Sequence, residues 1–207
     1  MVREPEVIKD SAADILRIGV GLVEERQRLL KPPDGVNVAS PDQVLVEGAQ
    51  HLRRLHDASI GFGRDGAVWQ APAKIPVEVV CHNDFSPHNL AFHDGRIVGA
   101  IDFDYCSPGP RLWDIAYFAT RIAPLTTTPP RNAPGIDDSR RRVQTILDAY
   151  GGGHIMTWDD VLRVAIIRLH DLADLSRQKA EELKKRQLLD DANAYDRDGH
   201  YLATLRG

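Results

Sequence analysis

Apolar residues recur three and four positions apart over most of the chain, so helices dominate the expectation. Over 11–30 the residues Ile15, Leu16, Val20, Leu22 and Val23 form one stripe, with Glu24, Glu25 and Arg26 opposite. Lys31-Pro32-Pro33-Asp34-Gly35 breaks this pattern. Ser40-Pro41-Asp42 then reads as a helix start, with serine as cap and proline in the first turn. The helix is expected to run to Asp57, with Leu45, Ala49, Leu52 and Leu55 on one face. Glycine and proline make 59–76 a loop.

The period then changes. Three short runs, 77–82, 89–92 and 96–101, read as strands. His93-Asp94-Gly95 joins the last two, and Asp-Gly is a strong hairpin signal. Pro108-Gly109-Pro110 ends the β segment, and a helix is expected over 111–122. Four prolines mark 124–135 as an exposed loop. Another helix is expected over 137–150, stopping at Gly151-Gly152-Gly153. The next starts near Thr157, with Asp160 at the capping-box position, and reaches the charged 177–187 stretch. A last helix ends near Leu205. A small β core amid helices argues for an α+β fold.

Composition narrows the functional classes. The chain is 43% hydrophobic and 27% charged, enough apolar material for a packed core, and its net charge of −4 does not suit a nucleic-acid binder. Arg140, Arg141 and Arg142 read as a solvated helix face. Two cysteines, Cys81 and Cys106, do not make a disulfide framework. The charged first ten residues do not resemble a signal peptide, and no apolar run reaches about 18 residues. A cytoplasmic protein without membrane or nucleic-acid partners is expected. No Cys/His spacing suggests zinc. His56, His170 and the tryptophans Trp69, Trp113 and Trp158 read as packing residues, and Asp171 and Asp174 as a solvated face.

The informative stretch is 81–104. Asp84 is followed after five residues by Asn89 and after thirteen more by Asp102. The Asp-Gly hairpin returns the chain, so these three oxygen-bearing side chains are expected together at one end of a small sheet. Singly, each has a plain reading: a turn aspartate, a strand-end asparagine, another strand end. Together they match a phosphoryl-transfer site. One carboxylate orients a hydroxyl and takes its proton, while a carboxylate and an amide oxygen hold Mg²⁺.

His82-Asn83-Asp84-Phe85-Ser86-Pro87-His88-Asn89 resembles the H-x-D-x-x-x-x-N signature of the aminoglycoside phosphotransferase family. Ile101-Asp102-Phe103-Asp104 is similar to its metal motif, Leu112-Trp113-Asp114-Ile115-Ala116 to the helix start that follows, and Leu52-Arg53-Arg54-Leu55-His56 to the preceding helix. The resemblance implies a protein-kinase-like C-terminal lobe over 41–207, mainly helical, with the catalytic loop on a small β-hairpin region. It implies Asp84 as catalytic base, Asn89 and Asp102 as Mg²⁺ ligands and nucleotide-site residues, and His82, Asp104 and Asp114 as supporting residues. It also implies ATP as donor and a small-molecule hydroxyl as acceptor, an aminoglycoside-like compound being the candidate.

A kinase-like enzyme normally begins with a lobe that supplies a phosphate-covering loop and a lysine paired with a glutamate. Residues 1–40 are short for that, and are expected to be a truncated or divergent remnant of it. Lys9 or Arg3, with Glu24 or Glu25, are candidates for the missing pair. Gly61-Phe62-Gly63-Arg64-Asp65-Gly66 superficially fits a glycine-rich loop but follows the wrong element. The alternative expectation is a non-catalytic binding module or a gene fragment.

Overall fold

A computed structural model describes residues 41–62, 66–129 and 135–206. The helix expected over 11–30 and the candidates Arg3, Lys9, Glu24 and Glu25 lie outside the described residues, as do Gly63, Arg64 and Asp65. The order is helix α1 (Pro41–Ala58), strand β1 (Val79–Cys81), a 3-10 turn (Pro87–Asn89), and strands β2 (Leu90–His93), β3 (Arg96–Ala100) and β4 (Ser107–Gly109). Helices α2 (Arg111–Ile122), α3 (Ile136–Tyr150), α4 (Trp158–Leu183) and α5 (Gln187–Thr204) follow. Helices with small antiparallel ribbons agree with the α+β expectation. Among the described residues no helix is long and apolar enough to cross a membrane.

The core forms where the apolar faces of the helices meet. Leu45, Ala49 and Leu52 of α1 are wholly buried against α3, which contributes Val143, Ile146 and Leu147, and against Phe118 of α2. Gly48 lets α1 come close to α2, because a Cβ there would lie 2.5 Å from the buried Phe118 ring. The capping box of α4 is present: the Thr157 hydroxyl accepts from Asp160 N–H, and the Asp160 side chain accepts from Thr157 N–H. Gly151 ends α3 at φ 84°, a conformation glycine adopts without strain. Helices α4 and α5 fold together through small residues, Ala173, Ala180, Ala192 and Gly199, tied by an Arg177–Asp196 ion pair. His170, expected as a packing residue, is exposed on α4 and meets the His200 ring edge-on.

The β segment departs from expectation in two respects. It forms two separate antiparallel ribbons, β1 with β4 and β2 with β3, rather than one small sheet. β4 arises where Pro108-Gly109 had been read as a terminator: Gly109 pairs with Val79, where a Cβ would meet the Cys81 sulfur and Lys74. Proline at 108 lacks only the N–H. The β2–β3 turn is as expected, with Asp94 and Gly95 both at positive φ. Glu47 of α1 pins this hairpin by accepting from Ile97 N–H and pairing with Arg96.

Gly48→Ala tests the α1–α2 packing. Phe118 is wholly buried and cannot withdraw without disturbing Phe85, so the substitution should destabilise by about 1–3 kcal/mol. Urea denaturation measures it, and an unchanged midpoint would disprove the close approach.

Candidate active site

The chain enters the site from β1 and turns sharply. Asn83 has a φ of 65°, a left-handed conformation that asparagine tolerates better than most residues. The turn is held by Asp114 in the first turn of α2. Its Oδ2 accepts from His82 N–H at 2.6 Å and its Oδ1 from Asn83 N–H at 2.8 Å. Oδ2 also accepts from His56 Nε2 at 3.0 Å. A chain of donors stands behind this bond. Arg111 donates to the Tyr150 hydroxyl at 3.0 Å, which donates to His56 Nδ1 at 2.7 Å. Burial pushes the Tyr150 phenol up to about 12.

Asp114 is wholly buried. Burial alone would raise its carboxyl, but the His56 hydrogen bond and the Arg168 guanidinium outweigh it and hold the group below the ordinary carboxylate range. His56 is therefore a packed residue, as expected, but one with polar work. His56, Cys81 and Asp114 lie close enough together to suggest a metal site. Both His56 nitrogens are engaged, however, and the Cys81 thiol, raised by burial, donates to the Pro110 carbonyl at 3.3 Å. Their chemistry fits internal hydrogen bonding.

His82 joins the turn to the strand that follows. Its Nε2–H donates to the Ile101 carbonyl at 2.9 Å, and its Nδ1 accepts from Asp84 N–H at 3.3 Å. Its ring lies 4.6 Å from that of Phe103. Asn89 closes the 3-10 turn rather than beginning a strand, because Pro87 is set for a helical first turn. Its Nδ2 donates to Asp84 Oδ2 at 2.8 Å and to the Asp84 carbonyl at 2.9 Å. With the amide nitrogen committed to Asp84, Oδ1 is the side-chain atom that Asn89 could offer a cation. Ile101 N–H donates to the Asn89 carbonyl at 2.9 Å, so Asp102, the next residue, adjoins Asn89. Asp102 has a φ of 70°, which costs a non-glycine residue of order 1 kcal/mol. The carboxylate and amide oxygens of Asp102 and Asn89 are the hard donors that Mg²⁺ takes. Asp104 is exposed on the following turn and lines an apolar cavity of about 330 Å³ with Leu55, Phe62, Trp69 and Phe103.

The matched sequence elements sit on these positions. The model of the phosphotransferase enzyme family matches residues 40–154, more than half of the chain. The chain belongs to the phosphotransferase enzyme family. No curated protein matches it. The matched stretch runs from α1 through α3 and contains Asp84, Asn89, Asp102 and Asp114, whereas α4 and α5 lie beyond it.

Asp84 of this phosphotransferase opens onto a cavity of about 670 Å³. Its walls include Lys74, Tyr105, Trp113, Tyr117, Asp171 and Asp174. Asp171 and Asp174 are solvent-exposed, as expected, and they also face this cavity. The Lys74 ammonium lies 4.7 Å from the centre of the Trp113 ring and 3.3 Å from Asp171 Oδ2. Tyr117 donates to Asp84 Oδ1 at 2.6 Å. Sequence reasoning missed Lys74, Tyr117 and Arg168. Arg168 alone carried a signal: it is a charge on the buried face of α4, in step with Val161, Val164 and Ala165.

The Asp114 brace yields a pH-dependent prediction. Its folded-state pKa is lowered, so its contribution to stability is present above the unfolded value and is lost as pH falls through the folded one. Asp114→Asn should destabilise by about 3 kcal/mol at pH 7. The gap to the native protein should narrow below about pH 4. Denaturation at both pH values checks this, and a gap independent of pH would contradict an ionised Asp114.

Proposed function

We propose that this family member is an ATP- and Mg²⁺-dependent kinase that transfers the γ-phosphate to a hydroxyl of a small, cationic molecule, an aminoglycoside-like compound being the leading class. The observation that carries this reading is the Asp84 carboxylate, fixed by Asn89 through one oxygen, on the wall of a cavity of about 670 Å³. An acceptor hydroxyl that donates to Asp84 keeps an oxygen lone pair for the γ-phosphorus; the carboxylate takes the proton as the new P–O bond forms and the bond from the γ-phosphorus to the β,γ-bridging oxygen breaks, with ADP as the leaving group. Asn89 Oδ1 and the Asp102 carboxylate are the ligands for Mg²⁺. When bound, the ion supplies neutralisation of charge on the transferring phosphate. His82 and Asp114 keep the loop in place and touch no reacting atom.

The cavity walls support this acceptor class. Carboxylates and aromatic faces together attract organic cations. Lys74 supports this, because its own ammonium already rests between Trp113 and Asp171. A substrate amine has the same chemistry.

Label transfer from γ-labelled Mg·ATP to a panel of amino sugars and amino alcohols tests the reading. The native protein should phosphorylate at least one of them. Asp84→Ala should lower that rate by about 10²- to 10⁴-fold, the usual contribution of a positioned base. A folded Asp84→Ala protein transferring label at the native rate would remove Asp84 from the role.

A further inference from the structure

Two residues behind Asp84 belong to none of the sequence motifs. The first is Tyr117, one turn after Asp114 on α2. Its hydroxyl donates to Asp84 Oδ1 at 2.6 Å, while Asn89 Nδ2 donates to Oδ2 at 2.8 Å. Donors on both oxygens fix the rotation of the carboxylate about its Cβ–Cγ bond. Thus α2 holds the loop backbone through Asp114 and the reacting side chain through Tyr117.

The second is Arg168, which α4 supplies from beyond the matched stretch and which is only 5% exposed. Its Nη2 donates to the Asn83 carbonyl at 2.6 Å and its Nη1 to the Trp113 carbonyl at 3.3 Å. Its guanidinium lies 4.4 Å from the centre of the Tyr117 ring and 4.7 Å from that of Trp113. Among the described residues, Nε has no hydrogen-bond partner. A buried charge with an unmet donor costs stability that an apolar side chain of similar size would not. Packing alone therefore does not account for it. What an arginine adds is a planar fork that can bond two carbonyls and stack on two rings at once, which a lysine cannot do. The two carbonyls and the two rings belong to the Asp84 loop and to the helix that holds it.

We infer that Tyr117 and Arg168 are positioning residues for Asp84: the Arg168 guanidinium sets the Tyr117 ring and the Asn83 carbonyl, and the Tyr117 hydroxyl sets the Asp84 carboxylate. The kinetic consequence rests on the kinase reading above. The relay from Arg168 through Tyr117 to Asp84 can be observed without turnover.

The test therefore has two arms. In the first, the five tyrosines are labelled with ¹³C at Cζ, and Tyr117→Phe assigns the Tyr117 signal by its loss. That signal should move in Arg168→Lys and in Asp84→Asn, while those of Tyr195 and Tyr201 stay in place. In the second, hydrolysis of Mg·ATP by water is followed without any acceptor. Tyr117→Phe and Arg168→Lys should each lower kcat by about 10- to 100-fold, the scale of a misplaced reacting group. The KM for Mg·ATP should stay within about twofold, since no ground-state contact to nucleotide is removed. Arg163→Lys, at an exposed position of the same helix, should change neither readout. A Tyr117 signal that stays in place in Arg168→Lys, with turnover by the native protein, overturns the relay alone. Unchanged kcat in Tyr117→Phe overturns the positioning role. A native protein that neither hydrolyses Mg·ATP nor transfers label to any acceptor of the panel removes the kinase reading and the positioning role with it.

Discussion

The 82–89 loop depends on one buried carboxylate. Asp114 takes two successive backbone N–H groups and the His56 imidazole on its two oxygens. A carboxylate is suited to this, because it only accepts and offers about four lone-pair sites. An amide of the same shape would turn its own N–H₂ group toward one of the donors. The position also helps, since a negative charge in the first turn of α2 meets the positive end of the helix dipole. These contacts offset the desolvation of a wholly buried charge. They also let Asn83 keep a left-handed backbone, which turns the chain from β1 into the loop that carries Asp84 and Asn89.

From that constraint the rest of the site can be traced outward. His82 carries the loop's position to Ile101, and Ile101 is bonded in turn to Asn89, so the two proposed metal-binding residues move with the loop. Behind Asp114, the chain from Arg111 through Tyr150 to His56 links the site to α3 and to the end of α1. Disturbing the core therefore disturbs the geometry around Asp84.

Much of this was legible in the sequence, for identifiable reasons. Helical periodicity suits α1, α3, α4 and α5, which bury one face each, whereas α2 is covered nearly all round and was bounded by the prolines on either side of it. Asp94-Gly95 announced the hairpin because its turn needs two positive φ values. The spacing of Asp84, Asn89 and Asp102 was readable because a short loop and a hairpin join them, leaving the chain little freedom. The split into two ribbons was not readable. It depends on Ser107–Gly109 returning to β1, a pairing between residues nearly thirty apart that no local pattern encodes. Tyr117 lies outside every motif, and Lys74 lay in a loop rich in glycine and proline. Their roles come from three segments meeting around one cavity, and a one-dimensional pattern does not contain that. His170 misled because its neighbours Leu169 and Ala173 are buried while it points outward.

The proposed metal–nucleotide site of Asn89 and Asp102 beside Asp84 is what a kinase stands or falls on. The most direct measurement is the thermal stability of the native protein and of Asp102→Ala, each with and without Mg·ATP. A ligand that binds only the folded state stabilises it by about 2.7 kcal/mol at a hundredfold excess over Kd. The Tm of the native protein should rise only when Mg²⁺ and ATP are both present, and the rise should be lost in Asp102→Ala. A native protein that stays folded and shows no rise, or an equal rise in Asp102→Ala, would contradict the proposed site and leave a binding module in place of a kinase.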